Sequence, residues 1–285
     1  MAQKTQALRV LVLGANGKIG KMICPVLRAH GEEPLAIRTV ARSLQADLVW
    51  KPGDPLADLP DSDAVVALWG VTPSHGGDLA DNTALAICAM EIGQAVGADR
   101  VLHTSTAAVY ATDGQVATET DVLRPGSDYG RAKRDMESAL WDWQRAQDSG
   151  PKPVVLRIGN VVGADSLFAA IGRGGTVTLD RFENGTGPRR SYIAPGDLAG
   201  SIAALCHAPA GDLEAVYNIA APDVTEMAAL AMAAGAVVAW QPAPDTAVPV
   251  VALETTRLQR LYAMPARSAD ATWQVADWRR WQAAA

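Results

Sequence analysis

The sequence predicts an α/β fold: a doubly wound parallel β-sheet, covered by helices on both faces, followed by a small mixed C-terminal region. Short apolar runs rich in β-branched residues alternate with helical stretches through the first half of the chain. These runs are almost continuously apolar, which is typical of strands buried on both faces. A glycine-rich turn joins the first run directly to the first helical stretch.

The first unit reads strand–turn–helix–strand. Residues 8–13 (LRVLVL) are apolar, GANGKIG follows, residues 19–29 are helical, and residues 34–40 form a second strand. Two parallel strands joined through a helix need a right-handed crossover. The same alternation predicts strands at 63–69, 100–104 and 153–158, and helices at 79–96 and 129–147.

The pattern loosens after about residue 163. Five glycines lie within 172–187, so we expect loops to dominate there, followed by a helix at 198–206 and a strand at 215–219. The last element, 273–282, holds three tryptophans that we expect to anchor it on the protein body. We therefore expect a first domain at 1–165 and a smaller region at 166–285, interleaved with the last sheet elements at about 190–220.

Composition indicates a globular protein, with 49% hydrophobic and 20% charged residues among 285. The net charge of −6 offers no electrostatic case for nucleic acid or an anionic membrane as partner. Cys24, Cys88 and Cys206 lie far apart without metal-ligand spacing, so we expect a reducing compartment and no metal. With neither a signal-peptide pattern nor an apolar run approaching about 20 residues, we expect a cytoplasmic location.

The glycine turn predicts a nucleotide site. Gly14, Gly17 and Gly20 stand directly between a strand and a helix. The first glycine permits a tight turn, the second lets a phosphate approach the backbone, and the third lets the helix pack closely on the sheet. The N–H groups of the helix N-terminus can then bind a pyrophosphate. Residues 1–165 are therefore predicted to be a Rossmann domain that binds NAD(P).

The second strand favours NADP over NAD. An acid usually ends this strand and binds the adenosine ribose, but here the segment reads LAIRTVARS, with Arg38 and Arg42. A guanidinium can bind a 2′-phosphate that a carboxylate would repel. The alternative is that both arginines are solvated and that NAD binds without a carboxylate.

Tyr129 and Lys133 form a Tyr-x-x-x-Lys pair on one helix face. A nearby ammonium, helped by the positive charge of an oxidised nicotinamide, favours the phenolate of a tyrosine whose ordinary pKa is about 10. Such pairs are common on exposed helices. Here, however, HTSTAAVY ends a predicted strand upstream, where a hydroxyl can hold a substrate oxygen.

Together these segments resemble the extended short-chain dehydrogenase/reductase family, which includes the NAD-dependent sugar epimerases and dehydratases. The resemblance covers roughly residues 8–200. It is carried, in order, by GANGKIG, GDPLADL, DAVVALWG, Asn82, HTSTAAVY, YGRAK, LRIGNVVG and RRSYIAPGDLA.

The resemblance implies a role for each matching residue. Tyr129 would be the acid/base, Lys133 would bind the nicotinamide ribose and lower the tyrosine pKa, and Thr106, with Ser105 as its neighbouring candidate, would hold the substrate oxygen. A gapless comparison puts Arg38 where NAD-binding members carry Asp. The other implied cofactor contacts are Gly14, Asn16, Gly17, Lys18, Ile19 and Gly20 in the turn, Asp54 at the adenine, and Leu68, Trp69, Gly70 and Thr104 at later strand ends.

The substrate is less well determined. Asn160 and Arg190 match positions that contact the substrate diphosphate in nucleotide-sugar epimerases; the alternative for Arg190 is a pair with Asp197. The later Arg-x-Gly-Asp-like clamp of those epimerases is missing, and Ala107 and Ala108 replace the Asp-Glu pair of the dehydratases. We place Ser74 and His75 in the pocket.

We therefore expect an NAD(P)-dependent oxidoreductase that interconverts a secondary alcohol and a ketone on a small sugar-like or polyol substrate. The alternatives are a nucleotide-sugar 4-epimerase with tightly bound NAD, or a non-enzymatic NADP-sensing regulator. Family members commonly dimerise through the helices that correspond to 79–96 and 129–147, so we expect a homodimer to which Trp141 or Trp143 contributes.

Overall fold

Seven parallel strands form the central sheet of the protein. The computed structural model describes residues 7–29, 35–43, 45–73 and 76–282. The sheet order is β11-β7-β5-β4-β1-β2-β3. Its strands are β1 (Leu8–Leu13), β2 (Leu35–Ala41), β3 (Leu48–Val49), β4 (Ala64–Ala67), β5 (Arg100–Thr106), β7 (Lys152–Ile158) and β11 (Val216–Ile219). The doubly wound parallel sheet predicted from the sequence is confirmed.

Helices cover both faces of the sheet. Successive side chains of each strand point to opposite faces, so each face has apolar side chains to bury. Val10 and Val12 of β1 belong to one core cluster together with Ile23 of α1 (Lys18–Ala29) and Ile202 of α5 (Pro195–His207). The intervening Leu11 and Leu13 belong to a second cluster, with residues of α2 (Asp81–Ala95) and α3 (Asp128–Arg145). Burial on both faces accounts for the nearly unbroken apolar runs.

Trp141 and Trp143, the predicted dimer residues, are both half-buried against the α2–α3 core.

The order of the strands determines where a ligand can bind. The chain turns outward in opposite directions from β1, toward β2 on one side and toward β4 on the other. Such a switch point leaves a crevice at the carboxyl ends of the two strands, since the helices that follow them pack on opposite faces. The glycine turn, the segment after β4 and the end of β5 all open onto this edge.

The remaining elements build a smaller region beside the crevice. One mixed sheet has the order β12-β10-β14-β6, with β8 also paired to β10, and a separate parallel pair joins β9 to β13. Their bounds are β6 (Val116–Ala117), β8 (Asn160–Val161), β9 (Thr176–Arg181), β10 (Arg189–Ile193), β12 (Val224–Glu226), β13 (Val237–Pro242) and β14 (Val250–Leu253). The helices of this region are α4 (Ser166–Gly174), α6 (Met227–Ala233), α7 (Thr256–Leu261) and α8 (Ala271–Gln282).

The expectation that loops dominate residues 172–187 is wrong. Helix α4 runs to Gly174, and Gly175 ends it in the left-handed conformation with φ +69°. Strand β9 follows at once, with Val177 and Leu179 buried and their neighbours facing outward. Two of the glycines therefore end a helix, and the alternation of TVTLDR was the signal for a strand.

Several predicted elements differ from the structure only at their ends. The strand predicted at 100–104 runs to Thr106, and the helix predicted at 198–206 begins at Pro195, where the proline occupies the first helical turn. Ser74 and His75, predicted to line the pocket, lie outside the described residues. Among the residues that are described, no helix has the length and apolar character needed to cross a membrane.

Candidate active site

The glycine turn lies against the segment that follows β4. Gly14 has φ +80°, and its N–H donates to the Val40 carbonyl at 3.1 Å. A Cβ at this position would lie 2.6 Å from the backbone nitrogen of Trp69. A residue with a side chain would therefore be strained twice, by its backbone conformation and by this contact.

The start of α1 fits a pyrophosphate. A Cβ at Gly20 would lie 2.5 Å from the Ala15 carbonyl, so the helix begins in close contact with the turn. No acidic side chain stands in the first turn of α1, which leaves its N–H groups free to meet an anion. Asn16 donates from Nδ2 to Ser43 Oγ at 2.6 Å, and Lys18 donates from Nζ to the Ala164 carbonyl at 2.6 Å. Together the turn and the helix start form a cradle that a dinucleotide can occupy.

The segment after β4 forms the opposite wall of the crevice. Leu68 continues the pairing of β4, since its N–H donates to Leu13 at 2.9 Å. Asn82 is buried and binds both backbone groups of Val71, accepting at 3.1 Å and donating at 2.9 Å. A Cβ at Gly70 would lie 3.2 Å from Lys133 Nζ. Asn82 thus holds this loop where Gly70 borders the lysine.

Lys133 is buried at the centre of the site, with 3% of its surface exposed. Its Nζ donates to the Thr104 carbonyl at 2.9 Å. Burial lowers the pKa of Lys133 to about 8, while the negative charge of Glu137 acts in the opposite direction. Nζ also donates to Met136 Sδ at 3.7 Å. An ammonium has three donors, so one remains for a ligand in the crevice.

Tyr129 lies one turn before Lys133, in the first turn of α3. Ser127 caps the helix by accepting the Gly130 N–H at 3.1 Å. Burial raises the pKa of the Tyr129 phenol. Burial disfavours the charged phenolate. The lowering of this pKa by Lys133 and a bound nicotinamide stays a prediction.

The hydroxyl groups of Ser105 and Thr106 have different partners. Ser105 is buried, and its Oγ donates to Glu137 Oε1 at 2.5 Å, so it is unavailable to a substrate. Thr106 is half-buried at the end of β5, and its Oγ1 accepts the Ala108 N–H at 3.2 Å. The Thr106 proton remains free to donate. Of the two candidates, Thr106 is therefore the one that can hold a substrate oxygen.

Arg38 and Asp54 are two of the expected cofactor contacts, and the structure gives their surroundings. Arg38 pairs with Leu11 inside the sheet, three residues before β2 ends, and its side chain is exposed. Because the glycine turn meets β2 at Val40, the arginine beyond the strand end is Arg42. The gapless comparison assigned Arg38 to the ribose position, whereas the register of β2 favours Arg42 there. Asp54 accepts the Lys51 N–H at 2.9 Å within its own turn.

Asn160 and Arg190 line one cavity of about 350 Å³, next to the crevice. Arg190 donates from Nη1 to the carbonyls of Arg189 and Pro249, at 2.8 and 3.0 Å, and not to Asp197. Two acidic side chains, Asp165 and Asp180, also line this cavity.

Asp165 caps α4 and accepts the Tyr192 hydroxyl at 2.6 Å. Burial raises the pKa of this carboxyl, although the Tyr192 and Phe168 hydrogen bonds and the charge of Lys18 oppose the shift. Sequence reasoning missed Asp165 and Asp180, although an Asp directly before Ser166 and the apolar pair Leu167–Phe168 is a helix-cap signal.

Comparison with known proteins identifies the family. Residues 10–220 match the model of the NAD dependent epimerase/dehydratase family. A curated relative, a dTDP-6-deoxy-L-talose 4-dehydrogenase (NAD(P)(+)) from Kitasatospora kifunensis, is 32% identical over 183 residues. That match covers 57% of this chain and 55% of the relative, so the chain spans about half the length of the curated relative it matches.

Solved structures share the fold at low sequence identity. The UDP-N-acetylglucosamine 4-epimerase from Bacillus cereus has a TM-score of 0.76 at 17% identity, with 96% of each chain covered. The UDP-glucose 4-epimerase from Thermus thermophilus, solved in complex with NAD, has a TM-score of 0.71 at 23% identity, with 95% of this chain and 99% of that chain covered.

A glycine cradle lies beside a Tyr-x-x-x-Lys pair in which Lys133 is buried and Tyr129 half-buried. The chain belongs to the NAD-dependent epimerase/dehydratase family, whose model matches it over most of its length.

The position of Tyr129 depends on how closely α3 packs on the turn after Thr106. A Cβ at Gly130 would overlap the Ala108 carbonyl. We expect Gly130→Ala to lower the free energy of unfolding by about 1–3 kcal/mol, as overpacking does, measured by urea denaturation. Gly126→Ala, at a glycine with open space around it, is the matched control and should stay within about 0.5 kcal/mol of the wild type. Equal losses in both variants would contradict this packing.

Proposed function

We propose that this protein is an NAD(P)-dependent oxidoreductase that interconverts a secondary alcohol and a ketone on a small sugar-like substrate. The observation that carries the proposal is that Tyr129 and Lys133, at the start of α3, lie beside Thr106, at the carboxyl end of β5, next to the glycine cradle. A second line of support is the relative named as a sugar 4-dehydrogenase, which carries out an alcohol–ketone interconversion with NAD(P).

The residues divide the chemistry among them. Thr106 donates a hydrogen bond to the substrate oxygen, since its Oγ1 lone pair is already engaged by Ala108. Tyr129 exchanges the proton of that oxygen as the general acid or base. Lys133 is held by Thr104 and Met136 and presents its remaining N–H to the nicotinamide ribose. The nicotinamide, when bound, supplies or accepts the hydride.

The charges of the substrate cavity favour a hydroxyl-rich substrate. The guanidinium of Arg190 shares the cavity with Asp165 and Asp180. Burial lowers the pKa of Arg190, and the negative charge of Asp180 opposes that shift. A cavity that holds both signs of charge has hydrogen-bond partners for sugar hydroxyls. With two acidic side chains beside Arg190, the cavity offers a diphosphate less net positive charge than Arg190 alone would supply.

Tyr129→Phe tests the function directly. We expect turnover of keto-sugars, followed by NAD(P)H oxidation, to fall at least about 100-fold because the proton donor is lost. The affinity for NADPH should stay near that of the wild type. Tyr217→Phe, on the edge strand β11, is the control and should keep its activity. Near-wild-type turnover of Tyr129→Phe on an identified substrate would remove Tyr129 from the mechanism.

The second candidate is a nucleotide-sugar 4-epimerase. Its support is that Asn160 and Arg190 line one cavity, as a diphosphate site would need. Such an enzyme regenerates its cofactor in every cycle. Purified protein distinguishes the two functions: NAD that survives gel filtration, with conversion of a UDP-sugar in the absence of added cofactor, indicates the epimerase. Empty protein that consumes one NAD(P)H per product indicates the oxidoreductase.

We further propose that NADP is the preferred cofactor and that Arg42 reads its 2′-phosphate, since Arg42 directly follows the end of β2. We expect Arg42→Ala to weaken NADPH binding about tenfold or more relative to NADH, as loss of a charged hydrogen bond does. Arg38→Ala is the matched control because Arg38 lies within β2, three residues before the strand ends. Fluorescence titration measures both ratios. An unchanged ratio for Arg42→Ala, or a larger effect of Arg38→Ala, would refute this assignment.

A further inference from the structure

A buried charge pair lies directly behind the candidate catalytic residues. Glu137 follows Lys133 by four residues on α3, so Tyr129, Lys133 and Glu137 lie along one face of the helix. Glu137 is 1% exposed. Arg157 of β7 donates to both of its carboxylate oxygens, from Nη2 at 2.7 Å and from Nε at 3.2 Å. A burial this complete is tolerated because each charge has a partner.

The same carboxylate is tied to the strand that carries the candidate hydroxyl. Ser105 of β5 donates to Glu137, and Ser105 lies opposite Arg157 in the register of β5 and β7. On either side of Ser105 stand Thr104, whose carbonyl accepts the Lys133 ammonium, and Thr106. One carboxylate therefore connects the helix of the lysine to the strand of the threonine.

Arg157 extends the connection to the turn after β5. Its Nη1 donates to the Tyr110 hydroxyl at 2.8 Å and to the Glu119 carbonyl at 3.2 Å. The Tyr110 hydroxyl in turn donates to Asn218 Oδ1 at 2.7 Å. The cluster formed by Ser105, Tyr110, Glu137 and Arg157, which we call the rear cluster, thus spans α3, β5 and β7.

The charges that face Lys133 come from several elements. His103 on β5 is buried, and its burial, followed by the charge of Lys133, lowers its pKa to about 3, so it is neutral near pH 7. Arg157 of β7 contacts Glu137, Tyr110 in the turn after β5 contacts Arg157, and Tyr129 lies one turn before Lys133 on the same helix. Among the described residues, Glu137 is the acidic group whose charge acts on Lys133.

We propose that Glu137 is a positioning residue for the reaction: held by Arg157 and Ser105, it keeps Lys133 in its charged form and fixed between β5 and the crevice. This role rests on the proposed function only because it assumes that Lys133 takes part in the oxidoreductase reaction. The lysine loses water on burial, which disfavours the ammonium, and the carboxylate one turn away offsets part of that loss. Arg157 in turn forms an ion pair with Glu137, so the Glu137 carboxylate is not an unpaired buried charge.

The titration of Lys133 tests this role without a substrate. The chain has six lysines, so [ε-13C]lysine labelling gives few signals, and Lys133→Met identifies the one that belongs to Lys133. We expect its midpoint in the wild type near the value of about 8 that burial produces. In Glu137→Gln, which keeps the size and removes the charge, we expect the midpoint to fall by roughly one pH unit.

Two further variants make the outcome decisive. Asp135→Asn removes an exposed carboxylate of the same helix and should leave the midpoint unchanged. Glu137→Asp keeps the charge on a shorter side chain, so its Lys133 midpoint should lie between those of the wild type and Glu137→Gln. If Glu137→Gln does not fold, a Lys133 midpoint of Glu137→Asp below that of the wild type supports the proposal. An unchanged Lys133 midpoint in the folded Glu137 variants, or an equal fall in Asp135→Asn, would overturn it. Because no turnover is measured, failure of the proposed oxidoreductase activity would leave this result standing.

Discussion

The bond from the Lys133 ammonium to the Thr104 carbonyl is the contact on which the site depends. It fastens α3 to the end of β5, and α3 carries Tyr129 one turn earlier. A charge buried this deeply remains only where it is paired and hydrogen-bonded. The bond to Thr104 meets the second condition for Lys133, and Glu137, one turn further along α3, is itself paired with Arg157.

The crevice itself exists because backbones approach each other closely. Gly14 lies against the backbone of Trp69, and Gly70 lies against Lys133, so both walls are positioned where side chains are absent. These contacts occur at the switch point of the sheet, where neighbouring connections diverge. The cavity lined by Asn160 and Arg190 lies in the smaller region, and Lys18 of the cradle bonds the Ala164 carbonyl, one residue before Asp165 of that cavity.

Local sequence signals predicted those parts of the fold and site that depend on neighbours in the chain. The apolar runs predicted both sheet faces, and the glycine spacing and the Tyr129–Lys133 pair were recognised from residues within one turn of each other. The helix and strand at 166–181 were missed because glycines were interpreted as loops, although Gly175 ends a helix and TVTLDR alternates.

The sequence by itself determined the fold class, the cofactor cradle and the helix that carries Tyr129 and Lys133, because each depends on a short-range period or turn. Only the tertiary structure showed that Ser105 bonds Glu137 while Thr106 bonds Ala108, that Arg42 follows the end of β2, and that Arg190 does not pair with Asp197. These features depend on strand register and on contacts between residues far apart in the chain. The Glu137–Arg157 pair joins a helix to a strand 20 residues away, and no local pattern encodes that meeting.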